Sequence, residues 1–141
     1  MPADYGFDHL DHTTPENTRA AAHAAAEAVR YLNHATFTTD RGGLRDPSDV
    51  DAILGDLQTF VERLPQLLSQ LGAWLLAECA AGRVRSDAAP PGHAPSIEAQ
   101  AVAAVRRYLA EAADDCHDGV RPALQDARQI TAKLAGVPDD D

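Results

Sequence analysis

The sequence predicts an all-α fold: an up-down-up antiparallel helical bundle of one shorter and two long, proline-kinked helices. Three observations predict it. Apolar residues recur three and four positions apart through most of the chain, the period of a helix with one buried face. No stretch alternates apolar and polar residues as a half-buried strand does. Glycine and proline gather in two connectors, residues 38–46 and 83–95, and short connections make consecutive helices antiparallel neighbours.

Each element follows from local chemistry. Residues 1–14 are a head in which Tyr5, Phe7 and Leu10 lie among acids and histidines. Thr14-Pro15-Glu16 is a helix start: a hydroxyl that can cap, then proline at the first helical position. This first helix runs to about Phe37, with Ala22, Ala25, Val29, Leu32 and Ala35 or Thr36 on one face. Mostly alanine, that face permits close approach but contributes little apolar area.

Asp46-Pro47-Ser48-Asp49 opens the second helix, predicted over about 47–82. Here the patterning is strongest. Val50, Leu57, Leu64, Leu71 and Glu78 form one heptad row; Ile53, Phe60, Leu67, Trp74 and Ala81 form another, and nine of these ten positions are apolar. A third row, Leu54, Val61, Leu68 and Leu75, widens the seam into a broad face. Pro65 interrupts the run and removes the hydrogen bond to the Val61 carbonyl. The register does not shift across it, so one kinked helix about 54 Å long is expected, with two shorter helices as the alternative.

Ser96 is a candidate cap for the third helix, over about 97–136. Ile97, Val102, Val105, Leu109, Ala112, Cys116, Val120, Leu124, Ala127, Ile130 or Thr131, and Leu134 keep its phase. Gly119 and Pro122 interrupt the chemistry but not the phase, which predicts a kink or local opening. Gly136-Val137-Pro138 stops the helix before an acidic tail at 138–141. Residues 15–137 are thus read as a single bundle domain. In the hairpin of the second and third helices, paired residue numbers add to roughly 179. Cys79 and Cys116 then lie on the order of 24 Å apart, too far for a disulfide. Pro65 falls beside Asp114 and Pro122 beside Leu57, which staggers the two interruptions.

Composition sets outer limits on function. The 141 residues, 15.0 kDa, suffice for one domain with its own core. A formal net charge of -10 disfavours nucleic acid and anionic membranes as partners. No apolar run approaches the roughly 20 residues of a membrane span. Two cysteines in a chain opening on Met, without a basic-then-apolar leader, fit a reducing cytoplasm. Abundant alanine, with 11 arginines against one lysine, matches a GC-rich, actinobacterial coding bias.

Candidate chemistry is sparse. Asp8-His9-Leu10-Asp11-His12 and Cys116-His117-Asp118 are the two polar clusters with metal-ligand residues. They belong to distant segments and carry neither Glu-x-x-His nor His-Glu-x-x-His, so solvated histidines are expected, with no metal and no cofactor. Cys116 has His117 next to it, but adjacent helical residues point apart, and Cys116 sits in the apolar register as a small hydrophobe. No catalytic residue is therefore assigned. Arg83, Arg85, Arg106 and Arg107 surround the second connector and read as loop solvation, with Glu78, Asp87 and Glu111 as partners.

The function expected is non-enzymatic: a helical protein whose seams mediate self-association as a homodimer, or binding to another helical protein. The first helix is too short to cover the second beyond about residue 70. Leu71, Trp74 and Leu75, facing Val102, Val105, Tyr108 and Leu109, then form the expected interaction surface. Trp74 has a bland reading as a core anchor and a sharper one as an interface anchor. The rival readings are a small-molecule sensor holding a ligand between helices at the kinks, and an enzyme or metal protein using the histidine cluster.

Overall fold

A computed structural model of the chain describes residues 13–37 and 42–136. The head with Tyr5, Phe7, Leu10, His9 and His12, and the acidic tail, lie outside the described residues. Every regular element described is helical: α1 (Pro15–Phe37), α2 (Pro47–Ala80), α3 (Ser96–Asp115), a π turn (Cys116–Val120) and α4 (Arg121–Thr131). The chain divides into two compact units, 1–45 and 46–141.

In the first unit, the Thr14 hydroxyl accepts from the Asn17 amide at 3.1 Å, capping α1 as its sequence predicts. Glu16 pairs with Arg19 and Glu27 with Arg30, both three residues apart on the exposed side. No α1 residue is buried.

The second unit opens on a reciprocal cap. Asp46 accepts from the Ser48 amide at 2.7 Å, and the Asp49 carboxylate accepts from the Asp46 amide at 3.2 Å. From there α2 runs for 34 residues without a break at Pro65. Losing one backbone bond does not end a helix whose flanking residues keep packing in phase. It stops at Gly82, whose φ of 71° is left-handed. The amides of Arg83 and Gly82 return to the carbonyls of Glu78 and Cys79, closing a Schellman motif.

The predicted third helix differs in three ways. Ser96 is its first residue and not its cap, because Pro95, at φ -56° and ψ -19°, is already helical. Around Gly119 the helix widens into the π turn, the local opening that an extra residue in the ladder produces. It also ends at Thr131, short of 136: Lys133 and Leu134 donate to Ile130 and Thr131, tightening the chain into turns. The freed segment brings Gly136 against the start of α2, where an added Cβ would lie 3.1 Å from Asp46 Cβ.

The arms of this helical hairpin are α2 and the α3–π–α4 rod, packed antiparallel. Gly72 lies under Arg106 and Leu109, Gly55 under Arg128, and the Thr131 hydroxyl donates to Asp51 at 2.7 Å. Gly72 is buried, and its missing side chain lets the helices approach there. The pairing runs a few residues away from the expected register. Pro65 therefore shares a cavity with Cys116, His117 and Arg121 and faces the π turn, just beyond the Asp114 expected beside it. Both cysteines are free.

The core is thin. Among the apolar side chains of the described residues only Val61 and Val102 are buried. Val61 belongs to the third apolar row of α2; its row-mates Leu54, Leu68 and Leu75 are half-buried, so this row faces the hairpin. The second row turns outward instead.

Candidate interaction surface

That outward row is the site's foundation. Phe60 is 44% exposed, Leu67 49%, Leu71 49% and Trp74 62%, a stripe of large apolar side chains along one flank of α2. Heptad spacing aligns Phe60, Leu67 and Trp74, and Leu71 joins them from the first row; packing against α3 uses the third row and leaves all four uncovered. On α3, Val105 and Tyr108 are also exposed, and the Arg107 guanidinium lies 5.0 Å from the Tyr108 ring centroid.

Of the seven residues the sequence singles out, four lie at the surface: Leu71, Trp74, Val105 and Tyr108. Leu75 and Leu109 are half-buried and Val102 is buried, so these three hold the hairpin together. Trp74 is no core anchor of this chain. Phe60 and Leu67 belong to the same exposed stripe, outside the seven residues expected there.

The other candidates are dispersed. His117 is exposed, with Nε2 4.0 Å from Asp118. No group of three metal-ligating side chains occurs among the described residues. Arg83 grips both oxygens of Glu78 at 2.6 and 2.7 Å, as expected for a solvated loop arginine. Arg106 and Arg107 are taken up over Gly72 and Tyr108.

The connector holds a feature that sequence reasoning missed. Glu98 is only 7% exposed, and its Oε1 accepts from the Ser86 amide at 3.0 Å and from His93 Nε2 at 2.5 Å. His93 Nδ1 meets the Pro90 carbonyl at 2.9 Å. Both partners are acceptors, so the protonated ring, with both nitrogens donating, suits this setting best. The Glu98 hydrogen bond, then the Pro90 carbonyl, raise the His93 pKa above its ordinary value. The His93 hydrogen bond, aided by backbone amides, lowers that of Glu98. No sequence motif marks this pair; only the turns between Arg83 and Pro95 bring it together.

Compared with models of known protein families, with curated proteins and with solved structures, the chain matches none. Function is therefore argued from the surface itself. No helix among the described residues is long and apolar enough to cross a membrane, so the apolar stripe is not part of a spanning helix.

Proposed function

We propose that this is a non-enzymatic helical interaction protein that pairs with a second copy of itself through the outer flank of α2 and the adjoining edge of α3. One observation carries the reading: Phe60, Leu67 and Trp74, spaced by heptads, form with Leu71 of the adjoining row an apolar stripe that the hairpin leaves open. A straight stripe of this kind is self-complementary across a two-fold axis, so a homodimer closes without further surfaces. The acidic balance of the chain argues against nucleic acid or an anionic membrane as the alternative cover. The same reading takes the helices in up-down-up order, with bends at Pro65 and near Pro122.

Light scattering over a dilution series tests it. Wild type is expected to shift from monomer to dimer with concentration. Trp74→Ala should weaken dimerisation about tenfold or more, as for a central aromatic anchor. A wild type that stays monomeric at high concentration, with residues 1–14 protected from proteolysis, would show that the head covers the stripe and would overturn the proposal. A monomer that binds another helical protein through Trp74 would replace the second copy with that partner.

A further inference from the structure

One carboxylate closes the connector between α2 and α3. Pro95 gives α3 no side-chain cap, and Glu98, in the first turn, serves three donors instead. They are its own amide, the Ser86 amide at 3.0 Å and His93 Nε2 at 2.5 Å. His93 Nδ1 is anchored in turn on the Pro90 carbonyl at 2.9 Å. Ser86, Pro90 and His93 are thus tied to one buried side chain.

The Ser86 amide is also the nitrogen of the Arg85–Ser86 peptide bond. Arg85 is exposed, and no ion pair engages it among the described residues. Arg83, two residues earlier, is gripped by Glu78 at the end of α2. Arg106, Arg107, Arg121 and Arg128 lie inside helices. A protease must draw a segment out into extended form before cutting it, so cleavage within a tied loop waits for the loop to open.

We propose that His93 and Glu98 form a latch over the Arg85–Ser86 bond, shielding it from an arginine-specific protease while the ring is protonated and uncovering it when the proton leaves. A neutral ring keeps one N–H for two acceptors, and Glu98 is left buried without its countercharge. Arg85 is the other charge acting on the ring and opposes protonation; α2 supplies none. The Glu98 hydrogen bond outweighs Arg85 and raises the ring's pKa. The latch therefore holds fully below the unfolded histidine value, about 6.5, and lets go as pH rises through the folded one. Hydrolysis adds water across the bond, leaving a carboxylate on Arg85 and an amine on Ser86. The arms of the hairpin would then be joined by packing alone. The inference goes beyond self-association and does not rest on it.

Limited digestion of the full chain with trypsin, between about pH 6 and pH 9, tests the latch. Mass spectrometry reads the cut at Arg85–Ser86, and a synthetic peptide of residues 80–91 corrects for the protease's own pH response. The corrected wild-type rate is expected to rise several-fold toward alkaline pH, following the share of open connector. His93→Gln and Glu98→Gln should both lose that rise, and His93→Gln should be cut faster than wild type at the acid end. A wild-type rate that does not change with pH, or a rise that persists in folded His93→Gln, overturns the inference. If the variants lose their helical circular dichroism, an NMR titration of His93 in wild type decides. The ring must change charge over the same pH interval as the cleavage rate, and a mismatch overturns the latch.

Discussion

His93 and Glu98 favour one another's charged forms, which ties the connector to pH. A histidine with a raised folded pKa contributes stability that is complete below its unfolded value, near 6.5, and is lost as pH rises through the folded value. A glutamate with a lowered folded pKa contributes stability that is complete above its unfolded value, near 4.5, and is lost as pH falls through the folded value. Both contributions are complete between those two unfolded values, so the connector is held best in mildly acid solution. Amide exchange of Ser86, corrected for intrinsic rate, should show greatest protection there and decline at alkaline pH. His93→Gln should abolish the alkaline decline. None of this was legible in the sequence, because a histidine five residues before a glutamate has no meaning until intervening turns fix their distance. The capping residues Thr14 and Asp46 were legible, because a cap is satisfied by amides two or three positions away.

At the scale of elements, the sequence reveals where helices begin and end wherever the signal is local. The bounds of α1 and the reciprocal cap of α2 follow from four or five residues each. Continuity through Pro65 was legible too, from apolar rows that keep phase on both sides. Pro65→Ala restores a donor to the Val61 carbonyl and removes a ring clash. Its melting temperature should equal or exceed that of wild type, with helical circular dichroism unchanged; a collapse of that signal would mean Pro65 starts a separate helix. The π turn was harder to foresee. Gly119 and Pro122 mark weakness in the third helix, but one extra residue in a ladder leaves the apolar phase nearly intact. Its consequence is tertiary: the pairing moves a few residues, and Pro65 faces the π turn. The early end at Thr131 is tertiary as well, set by Asp51 and by Gly136 meeting Asp46.

For the whole molecule, three adjacent apolar rows on α2 left open which one would meet α3. The choice fell on Leu54, Val61, Leu68 and Leu75 because Gly72 lies beside that row and lets Arg106 and Leu109 come close. Among the described residues only Val61 and Val102 are buried apolar side chains, and covering the outer row is where further apolar burial remains available. Two copies each carrying -10 repel one another, and added salt screens that repulsion while leaving apolar contact intact. Dimer formation, followed by light scattering, should therefore strengthen between about 0.02 and 0.5 M sodium chloride, a range across which the screening length falls from beyond 20 Å to below 5 Å. An assembly that weakens with salt would point to a charge-paired interface instead of the apolar stripe. The meeting of Gly136 with Asp46 has a topological meaning of its own. The path from 46 to 136 is a ring broken once, with its two ends abutting. Joining those ends and cutting at Pro90-Pro91 would reverse the order of the two rods along the chain while preserving every helix, so the order in which they are linked is not what holds this unit together.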